Sequence, residues 1–180
     1  MKAGTGNVLA VDVGGHKKGC SGASFGAAGL MSVHARLWGG VGSYEGWTVV
    51  VERPQQDGRS RAVPPAILID LAWTGAYLVG GFAALGASVR EVEPREWKGD
   101  LQKAIHHHRL VEALTERELE VLGMGAISEV EAAVRKGALC RWKPDSNGHY
   151  RKGSSTPDIL DAVGLGLWHL GRIGKDEYPK

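Results

Sequence analysis

Short apolar runs that end in a carboxylate stand out along the chain. Residues 8–13 (VLAVDV) are apolar except for Asp12, and residues 47–52 (WTVVVE) are aromatic or mostly β-branched until Glu52. Both runs have the length and residue types of buried β-strands. A buried carboxylate is costly unless it shifts its pKa, finds a partner or binds a metal. Because two such residues occur in one short chain, we predict that Asp12 and Glu52 lie close together in the fold.

The rest of the pattern predicts an α/β fold in a single domain spanning residues 1–180. Gly and Pro punctuation and the spacing of apolar residues give the boundaries. We predict strands at 7–13, 47–52 and 87–94 with a hairpin within 22–40, helices at 65–85, 101–122, 127–136 and 157–171, and a polar loop at 141–155.

Residues 71–89 carry no charged side chain and are about long enough to cross a bilayer. Asp70 lies at the edge of this stretch and four glycines dilute it. We expect a buried helix packed on the sheet, whose glycines let its backbone approach the strands, and no membrane partner. A membrane-associated protein that uses this stretch is the alternative.

Composition indicates the cellular environment of the protein more clearly than its function. The chain has 180 residues and 43% hydrophobic content, which suffices for one well-formed core. The net charge of +2 does not by itself predict a nucleic-acid partner. Cys20 and Cys140 are too few and too far apart for a disulfide framework or a CxxC metal site. Together with the lack of a recognisable signal peptide, this predicts a reducing, cytoplasmic setting.

The last predicted helix contributes two more carboxylates, Asp158 and Asp161. Thr156 and Pro157 form a strong helix start, and residues three apart lie on one helix face. Alone, this DxxD pattern is usually a solvated helix face. Beside Asp12 and Glu52 it makes four acidic groups from three elements, which divalent cations such as Mg²⁺ or Mn²⁺ make tolerable. Two ions about 4 Å apart would support phosphodiester cleavage.

These motifs resemble the ribonuclease H-like superfamily, and within it the RuvC-like Holliday junction resolvases, including phage versions. The resemblance is carried by VLAVDVGG, VVVERP and PDILDAVGLGLWHLG, in that order. It implies a mixed five-stranded sheet with helices on both faces. It also implies a homodimer that cuts four-way DNA junctions with Mg²⁺ or Mn²⁺ bound by Asp12, Glu52, Asp158 and Asp161. The insert HKKGC after the first strand departs from that pattern.

Candidate nucleic-acid contacts come from a local basic excess. Residues 135–152 hold six basic residues against one acidic residue, with Trp142 and Tyr150 available to stack on bases or sugars. The residues that we predict to contact nucleic acid are Lys98, Lys103, Arg141, Trp142, Lys143, Tyr150, Arg151 and Lys152. A solvated loop without a special task is the alternative for the basic segment.

Other candidates for chemistry are weaker. Three consecutive histidines, residues 106–108, point in three directions on a helix, so we expect them at the surface. Cys20 follows His16 closely, but nothing identifies an oxyanion site, so a cysteine nucleophile is not predicted. Two alternatives to a DNA resolvase stay open: a nuclease of the same fold that acts on pre-ribosomal RNA or RNA–DNA hybrids, and a non-catalytic nucleic-acid binding module.

Overall fold

The computed structural model describes residues 6–14, 20–37, 40, 42–54, 64–98, 103–123, 142–144, 150–152 and 158–174. Within them lie seven strands and five helices. The strands are β1 (Val8–Asp12), β2 (Cys20–Gly26), β3 (Gly29–Leu37), β4 (Thr48–Glu52), β5 (Ser88–Val92), β6 (Trp142–Pro144) and β7 (Tyr150–Lys152). The helices are α1 (Pro65–Ala84), α2 (Pro94–Trp97), α3 (Lys103–Ala113), α4 (Glu116–Val121) and α5 (Asp158–His169).

Five strands form one mixed sheet in the order β3-β2-β1-β4-β5. Strand β2 pairs antiparallel with β1 on one side and with β3 on the other. The β2–β3 pair is the predicted hairpin. β1 pairs parallel with β4, and β4 pairs parallel with β5. The chain is therefore an α/β protein whose five-stranded mixed sheet is flanked by helices, which confirms that part of the sequence prediction.

Helices cover both faces of the sheet, and the two-residue period of the strands sorts the core between them. Val8 and Ala10 of β1 join the core that α3, α4 and α5 cover, together with Val50 of β4. Leu9 and Val11 join the opposite core, beneath α1. Strands buried on both faces need continuous apolar runs, which is why the sequences of β1 and β4 do not alternate with polar residues.

Helix α5 is pressed closely against its neighbours. A Cβ atom added at Gly166 would lie 2.0 Å from Cε2 of Phe25 on β2, and one at Gly164 would lie 2.7 Å from a methyl group of Leu110 on α3. Only glycine leaves room for these approaches. Gly166 therefore sets how near α5, and the Asp161 that it carries, comes to the sheet, and Gly164 sets how near α5 comes to α3.

The predicted secondary structure is wrong in three places. The helix predicted at 101–122 breaks between α3 and α4, because Thr115 and Glu118 form a reciprocal capping box that starts a new helix. The short helix α2 was not predicted. The polar loop predicted at 141–155 contains β6 and β7, which pair antiparallel. The helix predicted at 127–136 lies outside the described residues.

Helix α1 has the predicted limits but not the predicted burial. Gly75, Leu78 and Phe82 are buried against the sheet, whereas Trp73 is 75% exposed and Tyr77 is 69% exposed on the outer side. Added Cβ atoms at Gly80 and Gly81 would meet nothing within 4 Å, so these glycines do not serve close packing on the strands. Sequence composition cannot distinguish an apolar face that packs from one that does not.

A buried carboxylate fastens α4 to the rest of the fold. Oε1 of Glu118 accepts a 2.9 Å hydrogen bond from the backbone N–H of Leu30 on β3, and Oε2 accepts one of 2.8 Å from the Arg172 guanidinium. Thr115 also donates to Oε2. Burial alone raises the pKa of Glu118, but these hydrogen bonds outweigh it and lower the pKa to about 2.

Candidate functional site

The register of the parallel strands brings Asp12 and Glu52 to the same level. Val11 pairs with Val51 across β1 and β4, so the next residue on each strand lies beside the other. Neighbouring strands are about 4.8 Å apart. Alternate residues of a strand share one face of the sheet, so Asp12 lies on the same face as Val8 and Ala10, and Glu52 lies on the same face as Val50. Helix α5 covers that face.

Asp161 reaches the same point from α5. Its side chain is 9% exposed, and the Nζ of Lys98 lies 3.2 Å from its Oδ2. The same Nζ lies 3.1 Å from Oε2 of Glu52 and 3.3 Å from Oε1. One ammonium group thus joins carboxylates from a strand and a helix that are remote in sequence.

The charge of Asp12 belongs to this cluster as well. Burial by itself lowers the pKa of Lys98, but the negative charges of Asp161, Glu52 and Asp12 outweigh that effect and raise the pKa above its ordinary value. The Lys98 side chain is 22% exposed. Lys98 is therefore a charged ammonium held in a mostly buried acidic pocket, which we call the acidic cluster: Asp12, Glu52 and Asp161 around Lys98.

Helix α2 positions Lys98. Strand β5 ends at Val92, and Glu93 then caps a single turn that starts with Pro94 and includes a capping box with Glu96. Lys98 follows this turn, and its backbone N–H donates to the Pro94 carbonyl. The turn directs the chain back toward the end of β4, whose Glu52 pairs in register with Val92.

Trp97 holds Glu52 independently of Lys98. The indole Nε1–H donates a 2.7 Å hydrogen bond to Oε2 of Glu52, and the Lys98 Nζ lies 4.6 Å from the centre of the indole ring. Burial raises the pKa of Glu52 and the charge of Lys98 opposes it, whereas the charge of Asp161 raises it further. The sequence analysis did not single out Trp97.

His106 corrects the expectation that the three consecutive histidines lie at the surface. It is buried on α3, with Nε2 3.8 Å from Oδ1 of Asp161 and its ring in edge contact with Trp97. The signal that could have found it is spacing: His106 lies four residues before Leu110, which belongs to the same core. The side chains of residues 107 and 108 lie outside the described part of the structure.

The remaining predicted site residues are less fully described. Asp158 is the first residue of α5, but its side chain is outside the described part, as is that of Lys103 at the start of α3. Arg141 is not described. Trp142 and Lys143 lie on β6 and pair with Lys152 and Arg151 on β7, where Tyr150 also lies, and only their backbones are described. Lys98, predicted to contact nucleic acid, contacts the carboxylates of Glu52 and Asp161 in this structure, and its contact with nucleic acid stays a prediction.

Among the residues that the structure describes, no three Asp, Glu, His or Cys side chains are arranged to hold a metal ion. Two of the predicted carboxylates contact the Lys98 ammonium, and a third acts on it electrostatically. The cluster therefore gathers oxygen donors around one cation that the chain itself supplies.

Cys20 is adjacent to the cluster but poorly suited to be a nucleophile. It is fully buried at the start of β2, and its Sγ donates to the Gly14 carbonyl over 3.7 Å. Burial raises the pKa of the thiol to about 11, and the nearby charge of Asp12 adds to the rise. The thiolate is the reactive form, so this environment disfavours reaction at neutral pH.

No protein-family model matches the chain, and no curated protein is significantly similar to it in sequence. The function must therefore be argued from the acidic cluster itself and from the residues around it.

Proposed function

We propose that this protein is a metal-dependent, structure-selective endodeoxyribonuclease with a ribonuclease H-like fold, which cleaves Holliday junctions or other branched DNA. The observation that carries the proposal is the convergence of Asp12, Glu52 and Asp161 from two parallel strands and one helix onto a single cation, Lys98. The mixed sheet with helices on both faces agrees with what the sequence resemblance implies.

The donor set fits a hard divalent cation. All three groups are carboxylates, which suit Mg²⁺ or Mn²⁺, and the Lys98 ammonium shows that a positive charge is stabilised between Glu52 and Asp161. Asp12, Glu52 and Asp161 would hold the metal, with Asp158 joining them from the first turn of α5. Bound Mg²⁺ or Mn²⁺, as one or two ions, would activate water and stabilise the leaving oxygen.

The protein's own residues prepare this chemistry. Asp12 and Glu52 are held at the sheet edge by strand pairing, and Trp97 fixes one oxygen of Glu52 by hydrogen bonding. Asp161 lies on a helix that two glycines seat closely on its neighbours. Such rigid support fixes the carboxylates before substrate arrives, which is the main protein contribution to metal-assisted hydrolysis.

A homodimer would place two acidic clusters for paired cuts, and the outer face of α1 suits a second copy of this chain. That face exposes Ile69, Trp73 and Tyr77, which are spaced four residues apart on one side of the helix. Burying an aromatic side chain such as Trp73 or Tyr77 removes about 150–250 Å² from water, so this face could form the apolar centre of an interface of roughly 800 Å² per partner. Gly80 and Gly81 leave open space where a second helix would approach.

Sedimentation of the wild-type chain and of Trp73→Ser tests the dimer. We expect a wild-type dimer that the substitution weakens. A wild-type monomer at micromolar concentration would exclude the self-contact. Partitioning into detergent would favour the membrane alternative instead. Among the described residues, α1 is the helix long and apolar enough to span a bilayer, and 17% of its apolar stretch is buried. One such helix is weak evidence for a span.

Two rivals remain. A nuclease of the same fold that acts on pre-ribosomal RNA or RNA–DNA hybrids would use the same carboxylates. A non-catalytic nucleic-acid binding module is favoured by a specific observation: an ammonium already neutralises part of the cluster, as in a purely structural ion network. Such a module would bind junctions without needing metal or carboxylates.

A cleavage panel separates these functions. Four-way junctions, duplex DNA, RNA–DNA hybrids and structured RNA are incubated with Mg²⁺, Mn²⁺, Ca²⁺ or EDTA. We expect junction cutting with Mg²⁺ or Mn²⁺, binding with little cutting in Ca²⁺, and no cutting in EDTA. Exclusive cutting of RNA would reject the resolvase proposal, and metal-independent junction binding without any cutting would support the binding module.

Substitutions assign the site. Asp12→Asn and Glu52→Gln should each abolish cutting and spare junction binding, because the metal ligands are lost while the surface is not. Glu91→Gln is a matched control, since Glu91 is an exposed carboxylate on the neighbouring strand β5. Cutting that survives Asp12→Asn would show that the acidic cluster is not the catalytic site.

A further inference from the structure

We propose that the Lys98 ammonium is a built-in competitor for the metal position, so that a divalent cation enters the acidic cluster only by displacing it. This inference rests on the proposed metal-dependent function and concerns how that site is regulated. Nζ of Lys98 lies 3.1 Å from Oε2 of Glu52 and 3.2 Å from Oδ2 of Asp161, so the ammonium occupies the space between these two carboxylates.

Charge balance favours the exchange. Asp12, Glu52 and Asp161 oppose a single ammonium, so the described cluster keeps two net negative charges when all its groups are ionised. One divalent ion would cancel more of that charge than one lysine does. Mg²⁺ generally binds carboxylate oxygens at about 2.0–2.1 Å, which is closer than an ammonium group approaches them. The two cations cannot share the position, because their mutual repulsion at such distances is strong.

The lysine has somewhere to go. Its stem is flexible, its side chain is 22% exposed, and it follows a helix of only four residues. In its present position the ammonium also lies 4.6 Å from the centre of the Trp97 ring, a cation–π contact within the cluster. Because the Trp97 N–H holds Glu52 by itself, the carboxylate stays in place when the lysine leaves.

Removing the competing charge should tighten metal binding. Titration calorimetry of wild-type protein and Lys98→Met with Mn²⁺ and with Ca²⁺ measures this, without nucleic acid or turnover. We expect roughly tenfold or more tighter binding in Lys98→Met. We also expect this variant to melt at a lower temperature than wild type in EDTA, with the difference removed by Ca²⁺, because the carboxylates then lack any cation.

Arg53→Met is the matched control. Arg53 directly follows Glu52 at the end of β4, pairs with Glu93 and has a side chain that is 54% exposed. The substitution therefore removes one positive charge near the acidic cluster without removing a member of it. Its metal affinity should equal that of wild type. Equal affinity in Lys98→Met and wild type, or an equal gain in both variants, would overturn the inference.

A measurement on the wild-type chain keeps the test decisive if Lys98→Met fails to fold. An amine-reactive acetylating reagent is applied with and without saturating Ca²⁺, and labelling of Lys98 is followed by mass spectrometry. We expect several-fold faster labelling with Ca²⁺, since the displaced ammonium becomes accessible. Unchanged labelling refutes displacement. Tighter metal binding in Lys98→Met, together with no cutting of any nucleic acid by the wild-type protein, would instead reject the nuclease function and leave the competition standing.

Discussion

Replacing Gly166 by alanine should destabilise the protein, although alanine is the better helix former. The added Cβ would lie 2.0 Å from Cε2 of Phe25, whereas carbon atoms pack at about 3.5–4.0 Å. Roughly 1.5 Å must therefore be recovered by moving α5 or the buried Phe25. Overpacking of this kind costs up to about 3 kcal/mol. The gain in helix propensity is about 1 kcal/mol, which leaves a net loss of about 2 kcal/mol.

Gly80→Ala is the matched comparison within the same chain. Gly80 is also in a helix interior, but its added Cβ meets nothing within 4 Å. This variant should be about 1 kcal/mol more stable than wild type. Urea denaturation and calorimetry at low protein concentration measure both, and the Gly166→Ala melting temperature should fall by about 4–8 °C.

Phe25 provides a further test of this close contact. Phe25→Leu should cost less stability in the Gly166→Ala background than in wild type, because it relieves the contact, and the two changes should be coupled by roughly 0.5–3 kcal/mol. If Gly166→Ala were as stable as Gly80→Ala, the close seating of α5 on β2 would be wrong. Such a result would also mean that this seating does not position Asp161.

Three more predictions concern groups around the core. Glu118→Gln should lose about 3 kcal/mol, because it leaves a buried charge network without its carboxylate. Since the pKa of Glu118 falls from 4.5 to about 2 on folding, its contribution is full above pH 4.5 and fades toward pH 2, and acid titration of unfolding should show this loss in wild type only. Trp97→Phe should lose about 1–3 kcal/mol by removing the donor to Glu52, and unchanged urea stability would contradict the buried hydrogen bond. Gly29→Ala should be worse than Gly42→Ala in thermal melts, because both glycines have positive φ but only the first would place its Cβ 2.6 Å from Glu118.

The sheet and its acidic strand ends could be predicted from sequence because they depend on local pattern. A continuous apolar run closed by a carboxylate fixes both the strand and the level of its charge, as for Asp12 and Glu52. Asp161 followed from its place on a helix with a strong start signal. The part played by Lys98 did not follow, because a flexible side chain takes its partners from tertiary contacts.

The wrong predictions have related physical causes. His106 was assigned to the surface because a run of identical residues carries no amphipathic signal of its own, although its spacing from Leu110 did. Helix α1 was expected to be buried because composition reports apolarity and not which face meets the sheet. The break before α4 was readable from Thr115 and Glu118, whose capping pattern outweighs a helical composition.

The parallel pairing of β1 and β4 has a consequence for how this protein can change. The separation of Asp12 and Glu52 is set by the backbone ladder of the sheet, at about 4.8 Å between strands. Segments that follow the two strands can therefore lengthen, shorten or be exchanged without moving the two acids apart. New loops could be grafted there while the distance between the two carboxylates stays constant.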